Sequence, residues 1–321
     1  MREGFFIRKN IDKWRNYQYE KTDDPDEKAS QFTELVNDLG YAKTFYPHSK
    51  VTAYLNGLAS KIYLEIYKNK KEESSRIWRF WKKELPLVIR KHRKEVLFAF
   101  GIFLLLALMA AFSAANDSRF VEGILGRDYV EMTEENIAKG DPFGVYKDEE
   151  KWQMFLRIAV NNINVSFVTF VAGFLLSIGT VWMLLINGVM VGAFQYYFFA
   201  KGLGWASVLV IWIHGTLEIS SIILSGAAGL VVGNSILFPK TYGRLHSLKM
   251  GTKDGLKILI GVVPILIVAA FLEGYVTRYT SMPKIISLSI LIFSFVFIVW
   301  YFWFYPIKVE KQLTHGGVKV G

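Results

Sequence analysis

His214 and Glu218 stand four residues apart in an otherwise apolar block from Ala206 to Leu224, so a helix carries both on one face. Ionisable groups at membrane depth are costly and mark function by default. An imidazole beside a carboxyl can relay protons, bind a cation, or lock two helices together. Metal ligation needs a third donor, and spacing fixes none. His-x-x-x-Glu offers only two ligands, and Gly215 occupies the place where a zinc-protease helix carries its Glu. The expectation is therefore no metal, no cofactor and no catalytic residue. Glu273, in a later apolar block and close to Arg278, reads as an interfacial ion pair. Asn161, Asn162 and Asn187 add uncharged groups able to bond across helices. Gly173, Gly179, Gly188, Gly192, Gly215, Gly226 and Gly229 are small enough to let those helices approach. The pairs Gly188/Gly192 and Gly229/Gly233 suit packing within one chain or a homodimer seam. Asn187 and Gly188 also form a place where the chain could unwind between two spans, with helix ends pointing into a cavity.

The elements that must hold these groups follow from hydropathy. The chain has 321 residues, 52% of them hydrophobic and 16% aromatic, too apolar for a soluble domain. Blocks long enough to cross a bilayer start at Val96–Ala115. They continue at Ile158–Leu185, Gly188–Ala200, Trp205–Phe238, Leu256–Tyr275 with Pro264 inside, and Ile285–Tyr305. The predicted class is all-α, a polytopic bundle of about six transmembrane helices after a helical region outside the bilayer. Gly188–Ala200 is short for a span, and Trp205–Phe238 is long enough to break at Gly215 or at Gly226–Gly233.

Charge supplies a topology. Residues 1–95 hold 21 Lys/Arg against 14 Asp/Glu, residues 113–151 hold 5 against 10, and Pro239–Lys257 carries five basic residues against Asp254 alone. The positive-inside rule then puts both termini and the 239–257 loop in the cytoplasm, with loop 116–150 outside. The net charge of +10 belongs to these loops. It reads as attraction to anionic lipid in the bilayer, with no nucleic-acid partner. His48, His92, His246 and His315 all fall on the cytoplasmic side of this topology. The absence of cysteine excludes disulfides, thiolate metal sites and a cysteine nucleophile. No apolar core of signal-peptide length precedes residue 96.

Three regions result: 1–95 as cytoplasmic amphipathic helices, 96–305 as the membrane domain, and 306–321 as a cytoplasmic tail. In the first, Phe6, Ile7, Ile11 and Trp14, then Phe32, Leu35 and Leu39, then Val51, Leu55, Leu58 and Ile62, repeat at helical spacing. Residues 77–94 read as an interfacial helix kinked at Pro86. Within the acidic loop, a helix over 133–139 is expected with Thr133 as its cap. Trp205, Trp212, Trp300, Tyr301, Trp303 and Tyr305 fit interfacial belts.

Asn161-Asn162-Ile163, Asn187-Gly188-x-x-x-Gly192, His214-Gly215-Thr216-Leu217-Glu218, Ser225-Gly226-Ala227-Ala228-Gly229 and Phe271-Leu272-Glu273-Gly274 occur in this order. The pattern resembles the stage II sporulation protein M family of bacterial integral membrane proteins, in its longer, non-sporulating branch. That resemblance implies a multi-pass protein of the bacterial inner membrane with a cell-envelope role and similarity to type-2 ABC exporter membrane subunits. It implies partners among envelope and membrane proteins, including a MoxR-type ATPase or an RDD-domain protein. The leading expectation is a non-enzymatic scaffold; the alternative is a permease-like subunit with a polar path at His214 and Glu218, working with a separate ATPase. Convergence of Asn162, Asn187, His214 and Glu218 on one cavity would separate the path from a set of dry helix contacts.

Overall fold

The computed structural model describes residues 2–19, 22, 24–68, 76–144, 150–277 and 282–315. Among them every regular element is helical. The contacts divide the chain at Ile77/Trp78 into two units.

In the first unit, α1 (Glu3–Tyr19), α2 (Pro25–Phe45) and α3 (Lys50–Lys68) bury one stripe each around Trp14, Leu35 and Leu55, the helical spacing seen in the sequence. Asp24 caps α2 by accepting from the Asp26 amide, with Pro25 in the first turn where its missing N–H costs nothing. Trp14 is fully buried and donates its indole N–H to Asp38 at 2.8 Å. Tyr17 donates to Glu34 at 2.8 Å, and its burial beside that carboxylate pushes the phenol up to about 12.

The second unit opens near the short α4 (Arg76–Arg79), followed by a π-helical turn at Phe80–Glu84 and α5 (Leu85–Lys91). Pro86 falls in the first turn of α5, so the backbone irregularity precedes it instead of forming a kink at the proline. Six spans follow. They are α6 (Arg93–Asn116), α9 (Lys151–Val171) with a 3-10 turn to Phe174, α10 (Ile178–Ala200), α11 (Gly204–Leu237), α12 (Arg244–Phe271) and α13 (Lys284–Val299). Between α6 and α9 lie α7 (Ser118–Leu125) and α8 (Arg127–Ala138), and α14 (Tyr305–His315) prolongs the last span.

The boundary between the second and third spans departs from the hydropathy reading. It falls at 175–177, where Leu176 and Ser177 take φ of 53° and 68°, and not at residues 186–187. Leu-Leu-Ser is as apolar as its flanks, so a hydropathy window runs through the turn. Gly173 and Gly179 make it feasible: a Cβ on Gly179 would lie 2.7 Å from the Ala172 carbonyl oxygen, and one on Gly173 would overlap that of Gly229. Asn187 and Gly188 consequently sit inside an unbroken α10 of 23 residues, and the proposed unwinding there is absent. α11 likewise runs through Gly215 and Gly226–Gly233 without a break, and α12 runs through Pro264.

α11 is the central helix, touching α6, α9, α10, α12 and α13. Lipid tails are as apolar as leucine, so spans associate through close packing and hydrogen bonds rather than through exclusion of water. A Cβ on Gly229 would strike Thr180 and lie 2.8 Å from the Thr169 carbonyl oxygen; one on Gly226 would lie 2.7 Å from Leu184. Gly188 and Gly192 face Phe103 and Ala107 of α6. Both Gly-x-x-x-Gly seams are thus occupied within the chain.

At the end of the bundle bearing α5 and α14, ion pairs tie the elements together: Arg90 with Glu310 and Lys91 with Asp254 at 2.7 Å, and Lys257 with Glu84 at 2.8 Å. At the other end, α7 and α8 pack on α6 and α10 through Val121, Val130, Phe143, Tyr197 and Phe198, so this segment is a structured cap. α8 starts six residues earlier than expected, and Thr133 is not its cap. Thr133 is buried in mid-helix, where its hydroxyl donates to the Tyr129 carbonyl at 2.7 Å.

Candidate functional site

Beneath the α7–α8 cap lies a cavity of about 510 Å³ between α9, α10 and α11. Asn161, Asn162, Asn187, His214, Glu218 and Glu273 all line it. Each helix contributes through a simple register. Asn162 lies about three turns into α9, and His214 and Glu218 share one face of α11. Glu273 comes from a π-helical turn, Leu272–Thr277, that ends α12. The wider turn alters the register of the helix, and here Glu273 and Thr277 both meet His214.

His214 is 3% exposed. Its Nδ1 lies 3.0 Å from the Thr277 hydroxyl, which itself donates to the Leu272 carbonyl at 3.2 Å. In the tautomer with its proton on Nδ1, the imidazole donates to this hydroxyl and turns the Nε2 lone pair toward Glu273. Nε2 lies 3.9 Å from Glu273 Oε2. Asn162 donates from Nδ2 to Glu218 Oε1 at 2.5 Å, and its own carbonyl accepts from Asn161 Nδ2 at 3.4 Å. The donor atoms of His214, Glu218 and Glu273 all lie within 4.8 Å of one another.

The four-residue spacing correctly places His214 and Glu218 on one face, but their partners come from other helices. The expected ion pair of Glu273 with Arg278 involves a residue outside the described ones; Glu273 itself faces His214 and Glu218, and among the described residues Arg157 is a cation that acts on it. Gly215 is not a close-packing glycine, since a Cβ there would meet nothing within 4 Å and would project into open space by the cavity. Asn187 lines the cavity while its amide donates to the Met183 carbonyl at 2.8 Å.

Residues 98–278 match the family of stage II sporulation protein M, more than half of the chain and every residue of the cavity triad. The chain belongs to this family. Residues 5–68, which hold α1 to α3, match a second family described as a domain of unknown function. No curated protein and no solved structure matches the chain. The family region begins inside α6 and ends one residue after Thr277, so it contains α7, α8 and the whole cavity but excludes α13 and α14.

Sequence reasoning missed Gln195, Trp212 and Thr277. Trp212 is no belt residue: its indole N–H donates to Gln195 Oε1 at 2.7 Å in the cavity wall. Gln195 also donates to Ser207 at 3.1 Å. An amide inside an apolar span was the available signal for Gln195. Nothing in the sequence marks Thr277, whose role depends on the π-helical turn.

Proposed function

We propose that this family member is a permease-like membrane protein, non-enzymatic, whose cavity admits a small polar or cationic solute into the bundle. The carrying observation is that Asn162, Asn187, His214 and Glu218 converge on one cavity instead of dispersing into separate dry contacts. A purely structural lock needs two bonded side chains; a cavity of about 510 Å³ beside them is room for a solute. Under the topology drawn from charge, the cavity lies toward the extracytoplasmic face of the inner membrane, beneath the cap, and both termini are cytoplasmic. No phosphate-binding glycine loop exists in the sequence, so coupling to ATP would come from a separate ATPase, for which the MoxR type is the first partner to test.

The scaffold reading keeps one observation in its favour, the helical unit α1–α3 with its own core and its own family match. Such a unit suits the recruitment of envelope partners, and crosslinking from native membranes with and without residues 1–77 would reveal them.

The lack of cysteine makes the transport reading directly testable. Gly215→Cys places a single thiol where the structure has open space. A membrane-impermeant maleimide should label it from the extracytoplasmic face, and added solute should slow the reaction. No labelling from either face would refute a solute path.

A further inference from the structure

We infer that the triad His214, Glu218 and Glu273 is a binding site for a divalent transition-metal ion. This names the occupant of the cavity on which the transport reading rests.

Three observations converge. First, the donor set is right in kind. One imidazole nitrogen and two carboxylates suit zinc or manganese, whereas magnesium and calcium take oxygen ligands alone. Second, the spacing is close to right. Metal–ligand bonds of about 2.0–2.2 Å set donors around a tetrahedral ion roughly 3.3–3.6 Å apart. The His214–Glu273 separation of 3.9 Å and the 4.8 Å limit on the whole set therefore close on an ion with side-chain shifts of about 1 Å or less. Third, the donors are already oriented. Thr277 can accept from His214 Nδ1–H, the tautomer that turns the Nε2 lone pair toward Glu273, and Asn162 donates to one oxygen of Glu218, whose carboxyl also meets that of Glu273. Bonds of this kind behind ligands are what metal sites use to aim them.

Charge points the same way. Two carboxyls facing each other in a poorly solvated interior repel unless a proton or a cation lies between them. A dication satisfies both at once. Arg157 acts on Glu273 electrostatically from an exposed position. Three protein donors leave at least one coordination position, and the cavity supplies the space for water or a solute there.

The test uses the full-length protein, purified in lipid nanodiscs, with zinc as the probe. Equilibrium binding should give one zinc per chain. Glu218→Gln and Glu273→Gln should each weaken it about 100-fold or more, and Thr277→Val about 10-fold. Absence of stoichiometric binding by the wild type would overturn the inference, as would wild-type affinity in both glutamine variants. Should those variants fail to fold, X-ray absorption of the wild-type zinc complex decides independently. One imidazole with an otherwise oxygen shell supports the site; two or more imidazoles would place the zinc elsewhere, since His214 is the one histidine of the triad. Labelling of Gly215→Cys without zinc binding would remove the metal and leave the solute path standing. Zinc binding without labelling would do the reverse.

Discussion

Where α11 passes Gly229, a methyl group would meet the Thr169 carbonyl oxygen at 2.8 Å; about four turns earlier, at Gly215, the same group would meet nothing within 4 Å. Both glycines lie on the same unbroken helix, one among small residues (Ser225 to Gly229) and the other between His214 and Glu218. One is a seam sealed by neighbouring backbone, the other a cavity wall. A glycine is the same residue at both places; the position of α9 and α10 makes the difference. These helices are joined by the tight turn at 175–177 beside Gly229 and Gly233, and the cavity opens between them toward their other ends. The sealed seam therefore lies at the end of α9 and α10 away from the cavity.

The largest effect should come from breaking the seam. Gly229→Leu or Gly173→Leu drives a side chain into backbone, with a cost of at least about 3 kcal/mol, and should leave no monodisperse protein on size exclusion. Gly215→Leu is the matched control, expected to keep the fold while reducing solute or zinc access. Equal damage at Gly215 and Gly229 would erase the contrast. Next in size, Asn162→Ala removes the 2.5 Å bond to Glu218 and should lower thermal stability by about 1.5–3 kcal/mol, read as a melting shift in nanodiscs. Thr277→Val removes the hydroxyl bonded to His214 Nδ1 and should cost roughly 1 kcal/mol, with the larger change in zinc affinity. The smallest effect belongs to Gly215→Ala, where open space and better helix propensity predict stability within about 1 kcal/mol of wild type, on the favourable side.

Much of this could be read in the sequence, though unevenly. All six spans were visible as apolar runs, and the first and fourth had both ends within three residues, because desolvation of a 20-residue helix is a property of its own side chains. The second and third were divided in the wrong place because the turn at Leu176 and Ser177 is apolar, and left-handed backbone leaves no mark in hydropathy. The cap was read as an acidic outside loop because the apolar face of α7 and α8 is short and its partners Tyr197 and Phe198 lie about 70 residues away.

His214 and Glu218 could be paired by spacing alone, since a helix makes residues four apart neighbours. Glu273 could not be joined to them. It looked interfacial by its distance from the end of an apolar run, and only the π-helical turn and the packing of α12 on α11 bring it within 4.8 Å of the other two. By itself the sequence determined the class, the family and the identity of each costly polar group, because burial energies and motifs are local. Only the tertiary structure decided which glycines seal, which one opens on a cavity, and that two potential ligands become three. Those outcomes depend on the distances between helices, which no single segment encodes.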